Sequence, residues 1–287
     1  VSAAGGAVRS WLFAPADRPD RCDKALASTA DQVIWDLEDG VAAERRPDAR
    51  LALAARLPAL AGATRRPWIR VSAPDTADGE RDLAMLRDLR WDGGLVVPKA
   101  SAGSVARLPA LAPQCASWLL IVETAAGMWD LSRDALRPPS GIAARLAFGA
   151  LDYALDLSVS VTPGEPELLA ARSQLVWLSR ALGLPAPIDA VEARFDDPSA
   201  VSAAAARGHA LGFAGKLAIH PSQIGPIHGA FAPTADEADW ARRVLAAVEG
   251  GVGAARVDGA MVDRPVVERA RAILAAEASA TGAGPGR

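Results

Sequence analysis

A closed (β/α)₈ barrel is the fold class predicted for this 287-residue chain. Short apolar runs alternate with helical stretches almost from end to end, and the alternation repeats eight times. The repeats occupy about 250 residues, the usual length of such a barrel. An open sheet more often stops at about five or six strands, so the strand count selects a closed barrel over a doubly wound sheet. The predicted strands are 11–14, 32–36, 67–71, 94–97, 118–122, 145–148, 187–191 and 215–219. Helices are predicted around 19–30, 46–60, 79–90, 102–111, 126–136, 165–182, 199–211 and 234–248.

Boundary residues support these assignments. Asp17-Arg18-Pro19 places a capping acid before a first-turn proline, and Asp197-Pro198-Ser199 offers a second start. Gly183 and Gly212 follow helical stretches as stop residues. After residue 250 the rhythm breaks, with a glycine-rich hinge (GGVGAARVDGAMVDRP) leading to a helix at 265–278. The expected organisation is a catalytic barrel over 1–250, then a hinge and C-terminal helix over 251–287 that caps the barrel or packs on a neighbouring subunit.

Composition narrows the function classes. The chain is 51% hydrophobic and 5% aromatic, a globular composition, not a disordered one. A formal charge of −3 argues against a nucleic-acid surface, which needs a basic face. No apolar run reaches membrane-spanning length, and the start lacks a signal-peptide pattern, so the expected location is cytoplasmic. Two cysteines provide no disulfide framework and no metal spacing. Only three of the 31 basic residues are lysines (Lys24, Lys99 and Lys216), although arginine cannot replace lysine where a compact point charge is wanted.

The chemistry is expected at the carboxyl ends of the strands, which face the mouth of such a barrel. Glu123 and Asp152 each stand where an apolar run stops, and a carboxylate there is costly unless paired, protonated or metal-bound. Asp36, Glu38 and Asp39 follow strand two, Arg70 and Ser72 strand three, and Lys99 strand four. Asp189 falls in strand seven and His220 after strand eight. Hard oxygen donors suit Mg²⁺, which takes one or two protein carboxylates and keeps several waters. Three scattered histidines do not make a zinc site. The competing reading for Glu123 and Asp152 is a salt-bridge network closing the barrel top. Arg70 either neutralises Asp36 or Glu38 or clamps a substrate carboxylate. Lys99 is the candidate for a Schiff-base aldolase, although crowded acids would keep it protonated.

The segments SWLFAPADRPDRCDKA, DLEDGV, IRVSAPDT, VVPKA, IVETAAGM, FGALDYALDL and GFAGKLAIHPSQI occur in this order. Together they resemble the CitE-like branch (citrate lyase beta subunit-like, malyl-CoA lyase-like) of the HpcH/HpaI aldolase and citrate lyase superfamily. The resemblance runs from about Arg9 through the tail helix. It implies a barrel assembled as homotrimers or homohexamers, Mg²⁺, and carbon–carbon cleavage of a 2-hydroxy-acid acyl thioester such as malyl-CoA, citramalyl-CoA or a citryl thioester. The implied partners are a 2-oxoacid and an acyl-CoA or acyl-carrier-protein thioester. By the same resemblance Glu123 and Asp152 hold the metal and Arg70 holds the substrate carboxylate, with Asp36 and Glu38 positioning Arg70 and metal-bound water. Arg18 and Lys24 lie where relatives contact coenzyme A. Asp263, in MVDRP, matches an aspartate lent across a subunit interface as acid/base; Asp258 competes for that role, and Asp263 has helix capping as its alternative. The family usually carries glycine at Ala16 and asparagine at Ser72, departures that bear on the substrate more than on the reaction type. Alternatives within this frame are a carrier-protein-dependent citrate lyase subunit and a non-catalytic oxoacid- or CoA-binding protein.

Overall fold

The computed structural model describes residues 8–249 and 256–280. Eight parallel strands close into a barrel in sequence order: β1 (Ser10–Pro15), β2 (Gln32–Asp36), β3 (Trp68–Arg70), β4 (Leu95–Val97), β5 (Ser117–Val122), β6 (Ala143–Phe148), β7 (Ile188–Asp189) and β8 (Gly215–Ala218). β8 pairs back onto β1 through Ser10 and Lys216. Strands of a parallel barrel are covered on both faces, which is why they read as unbroken apolar runs. Inward-pointing Trp11, Ile34, Val96, Leu119, Ile121, Ala147, Ile188 and Leu217 form the interior cluster, with Phe13, Trp68 and Val191 packed against it.

The expected helices are present as α1 (Pro19–Leu26), α2 (Arg46–Arg56), α3 (Ala77–Asp88), α4 (Ala102–Leu111), α5 (Ala125–Ser132), α7 (Leu169–Ala181), α8 (Pro198–Leu211) and α10 (Ala235–Glu249). Two short helices were not expected: α6 (Ala150–Asp156) and α9 (Ile224–Ala230). Asp197 caps α8 through the Ala200 N–H, and Gly212 ends it at φ +100°. Asp17 does not cap α1; the N-cap is Arg18, and Asp17 pairs with Arg45 at 3.2 Å.

The chain divides into two compact units, Val8–Ile227 and the residues from His228 on. In the second unit α10 packs on α11 (Arg264–Ala280), with Ala241, Val244 and Ala270 at the centre. The described half of the expected hinge is a hairpin, β9 (Arg256–Val257) against β10 (Ala260–Met261); residues 250–255 lie outside the described residues. Its turn is Asp258-Gly259, both at positive φ (+50° and +81°), the conformation a tight two-residue hairpin demands. Asp258 also pairs with Arg243 of α10 at 2.8 Å, so a structural role accounts for it. Among the described residues, no helix is long and apolar enough to cross a membrane.

Candidate active site

Strand register assembles the centre of the site. Asp36 and Arg70 are paired positions on β2 and β3, so their side chains meet above the barrel. Arg70 donates from Nε and Nη2 to the two Asp36 oxygens, each at 2.6 Å. Asp36 also accepts the N–H groups of Glu38 (2.9 Å) and Gly40 (2.8 Å), which curl the loop after β2 around it. The third guanidinium nitrogen, Nη1, lies 3.2 Å from Glu38 Oε2 and 3.7 Å from Asp39 Oδ2. The Arg70 guanidinium rests on the Phe13 ring at 4.6 Å. Burial lowers the guanidinium's proton affinity, but Asp36, Glu38 and Asp39 more than reverse that and hold it charged.

Glu123 follows β5 immediately and is buried. Its Oε1 accepts the Lys99 N–H at 2.8 Å, an N–H aimed by the left-handed backbone of Lys99 (φ +44°). Such a conformation is strained for a residue with a side chain and tends to persist at functional sites. Desolvation, with the Glu38 and Asp152 charges, pushes the Glu123 carboxyl up to about 8. Val122 pairs with Phe148, so Gly149 stands beside Glu123 one step further along. A Cβ at 149 would overlap the Glu123 carboxylate, so glycine is required there for close approach.

Asp152 is half-buried in the first turn of α6, not at a strand end, because β6 stops at Phe148 and the helix begins at Ala150. The Lys99 ammonium joins the carboxylates: it donates to Glu38 Oε1 at 2.8 Å and lies 4.0 Å from both Glu123 Oε1 and Asp152 Oδ1. Burial pulls its affinity for a proton down, but the hydrogen bond to Glu38 and the surrounding acids raise it overall. Lys99 therefore stays protonated, which removes the nucleophilic amine that a Schiff-base aldolase needs.

Glu123, Asp152, Asp36, Asp39 and Arg70 line one cavity of about 380 Å³, with Gly149 in its wall. Among the described residues no three His, Cys, Asp or Glu side chains form a cage that would hold a metal by protein ligands alone. Two carboxylates on one cavity, both within 4.0 Å of one ammonium, instead fit a hard divalent cation completed by water and ligand oxygens. Glu38 Oε2 is consistent with that fit: it is buried without a hydrogen bond, held only by the ion pair to Arg70 Nη1 at 3.2 Å, and keeps a lone pair that could accept from a water of such a shell. Burial also raises the Glu38 carboxyl, against the pull of Arg70 and Lys99.

Other sequence expectations fare differently. Asp189 is not in the cavity wall. Ile188 takes the inward position on β7, so Asp189 turns outward, where Arg172 Nε (2.8 Å) and Lys216 Nζ (3.2 Å) enclose it. His220 is exposed and engaged with Ser222 at 2.7 Å. Arg18 and Lys24 are exposed on or beside α1 and do not line the cavity; Arg21 does. The segment DRPDRCDK offers several cations at helical spacing, and the sequence does not say which one turns to the mouth. Ser72 is buried, its N–H bound to Asp82 at 2.8 Å. Asp263 is exposed and caps α11 through the Val266 N–H at 3.2 Å.

Comparison with known proteins agrees with this architecture. The chain is 39% identical over 288 residues to a citrate lyase subunit beta-like protein of Deinococcus radiodurans, covering 94% of this chain and 98% of that one. It is 32% identical to a (3S)-malyl-CoA thioesterase of Cereibacter sphaeroides, covering 93% of each. The crystal structure of CitE from Mycobacterium tuberculosis, in complex with magnesium, acetoacetate and coenzyme A, superposes with a TM-score of 0.81 at 34% identity, over 96% of this chain and 98% of that one. With residues 9–221 matching the model of the HpcH/HpaI aldolase/citrate lyase family, this chain belongs to that family.

Proposed function

We propose that the protein is a Mg²⁺-dependent carbon–carbon lyase that cleaves, or forms, a 2-hydroxy-acid acyl thioester, giving a 2-oxoacid and a shorter acyl thioester. The observation that carries this reading is the meeting of Glu123, Asp152 and Arg70 on one cavity. One relative is named a (3S)-malyl-CoA thioesterase, and a solved neighbour is in complex with magnesium, acetoacetate and coenzyme A.

Glu123 and Asp152 would hold the ion, which when bound supplies Lewis acidity toward the substrate's hydroxyl and carboxylate oxygens. Arg70 binds the substrate carboxylate. Its Nε and Nη2 are committed to Asp36, so the guanidinium is fixed in place and presents Nη1 without reorganisation. Glu38 fixes Nη1 and the Lys99 ammonium at once, keeping both cations at the edge of the anionic cavity. As the carbon–carbon bond breaks, the hydroxyl proton is lost to solvent, the C–O bond becomes the 2-oxoacid carbonyl, and the bonding pair is left on a thioester enolate whose carbon takes up a proton in return. Asp263, supplied by a second copy of the chain, is the proposed donor, and it removes that proton in the reverse direction. Arg21, at the cavity wall, is the cation we assign to the anionic thioester carrier, together with Arg18 and Lys24. The working assembly in this reading is a homotrimer or homohexamer.

The test is a panel of hydroxyacyl-CoA thioesters with MgCl₂, followed for 2-oxoacid and for free CoA thiol. Release of 2-oxoacid with retained acyl-CoA, abolished by EDTA and by Asp263→Asn, is the expected result. Thiol release without oxoacid would assign hydrolysis instead and refute the lyase reading.

A further inference from the structure

Glu123 and Asp152 stand on separate segments of chain. Glu123 follows β5, and Thr124 leads from it straight into α5. Asp152 rides on α6, seven residues long, of which only Ala150 and Ala154 are buried. Leu151, Leu155 and Leu157, in and just after that helix, are exposed. Tyr153 rests on Phe148 with 5.4 Å between ring centroids. Two alanines and one ring contact are little packing to fix the place of a helix that carries a buried cavity's carboxylate.

A hydrogen bond ties the two segments together. Asp156 Oδ2 accepts the Ala125 N–H at 2.7 Å. Asp156 lies one turn beyond Asp152, on the same face of α6, and Ala125 is two residues beyond Glu123. The Ala125 N–H is the first of α5, one of the donors that every helix start leaves without an internal partner. The N-cap hydroxyl of Thr124 serves Gly127 at 3.0 Å, so the Ala125 donor depends on Asp156. A carboxylate in that place is favoured by its charge and by the helix dipole. The same device recurs one step back around the barrel, where Asp130 of α5 accepts the Ala102 N–H of α4 at 2.8 Å, three residues beyond Lys99. The segments bearing Lys99, Glu123 and Asp152 are thus joined in series by two carboxylates that do not line the cavity. The Lys99 ammonium, 4.0 Å from both Glu123 and Asp152, marks where the three converge.

We propose that Asp156 is a positioning residue for the metal site: its bond to the Ala125 N–H sets the reach of Asp152 toward Glu123, and with it the shape of the site the two carboxylates share. This rests on the Mg²⁺ site of the lyase reading and adds a residue that touches neither ion nor substrate. A carboxylate that merely capped α5 would act on folding alone, whereas one that places Asp152 acts on the ion's affinity.

The experiment titrates MgCl₂ into the metal-free protein by calorimetry, without thioester, after thermal unfolding has established that each variant is folded. Asp156→Ala should weaken Mg²⁺ binding by at least ~10-fold, the lower end of what a lost supporting partner costs a metal site. Asp156→Asn keeps an acceptor oxygen and should return to within ~3-fold of wild type, the difference between a charged and a neutral acceptor at an exposed bond. Ala125→Pro deletes the same bond from the donor's side; proline suits the first position of a helix, and Thr124 before it is already extended at ψ 155°. It should reproduce the loss, and it decides the matter if Asp156→Ala does not fold. Combining Asp156→Ala with Ala125→Pro should weaken binding no further than either change alone, since both remove one bond. Asp197→Ala removes the comparable cap of α8, at 3.0 Å from the Ala200 N–H, and should lower Tm while leaving Mg²⁺ affinity at the wild-type value. Wild-type affinity in Asp156→Ala or in Ala125→Pro overturns the inference and leaves the lyase reading intact. Equal losses in Asp156→Asn and Asp156→Ala also overturn it, because the charge and not the bond would then be responsible. Absence of Mg²⁺ binding by the wild type removes the metal site of the lyase reading, and the inference with it.

Discussion

Glu123→Gln should stabilise the metal-free protein while abolishing Mg²⁺ binding. Burial, with Glu38 and Asp152 nearby, pushes the Glu123 carboxyl from 4.5 up to about 8. Between those values the unfolded chain has released the proton and the folded chain retains it. Folding stability therefore falls as pH rises from 4.5 to 8 and is level on either side. Each pH unit in that window costs ~1.4 kcal/mol, so the wild type bears a penalty on the order of 3 kcal/mol at pH 7. Glutamine has no charge to bury and escapes the penalty. It still accepts the Lys99 N–H through its amide oxygen, a neutral bond like the one the protonated carboxyl makes, so little is given back. The net gain is on the order of 3 kcal/mol near pH 7, or roughly 6–12 °C in Tm for a domain of this size, and it disappears near pH 4.5. Thermal unfolding in EDTA from pH 4.5 to 8.5, repeated with MgCl₂, measures both halves. Magnesium should raise the wild-type Tm by mass action and leave the variant unmoved. A variant less stable at pH 8, or equally stabilised at pH 5 and pH 8, would show that Glu123 is not a desolvated carboxyl. A Tm that still climbs with MgCl₂ would show that it is not a metal ligand.

Three further outcomes follow from the same geometry. Arg70→Lys keeps the charge but cannot reproduce the two-point grip on Asp36, so kcat/KM should drop by at least ~100-fold, about 3 kcal/mol, with Mg²⁺ affinity unchanged in calorimetry; near-normal kinetics would refute the clamp. Gly149→Ala forces a Cβ into the Glu123 carboxylate and should weaken Mg²⁺ binding by ~10–100-fold, whereas Gly103→Ala, where only Ser101 Oγ lies within 4 Å, should not. Lys216→Met leaves Asp189 buried with only Arg172 for company and should cost about 3–5 kcal/mol in urea unfolding; a loss under 1 kcal/mol would show that Arg172 alone suffices.

Much of this was legible in the residues, for definite reasons. Parallel strands covered on both faces leave long apolar runs, so all eight were visible, and where they stop marks the mouth that collects Asp36, Arg70, Glu123 and Asp152. What failed were features depending on which way a side chain turns. Asp189 has the same strand-end signature as Glu123, but β7 spans only Ile188–Asp189, and the inward place belongs to isoleucine. Arg21 could not be separated from Arg18 and Lys24 without the helix in place. α6, at seven residues, is too short to reveal a period. The hairpin at Arg256–Met261 was legible: Asp-Gly between Val257 and Ala260 is a turn signal, submerged by the glycine-rich stretch before it.

The cavity takes its carboxylates and Arg70 from the second to sixth staves, and Val191, Leu217 and Ile219 from the seventh and eighth, a split with a consequence for descent within this family. In the proposed reading the reactive groups and these apolar lining residues sit on different staves of the barrel, so the two can drift separately. Replacements at Val191 and Ile219, at the rim of the seventh and eighth staves, would retarget the protein to another carbon skeleton without disturbing the ion-holding acids. Closely similar chains can thus process different acids with one unchanged set of reactive groups.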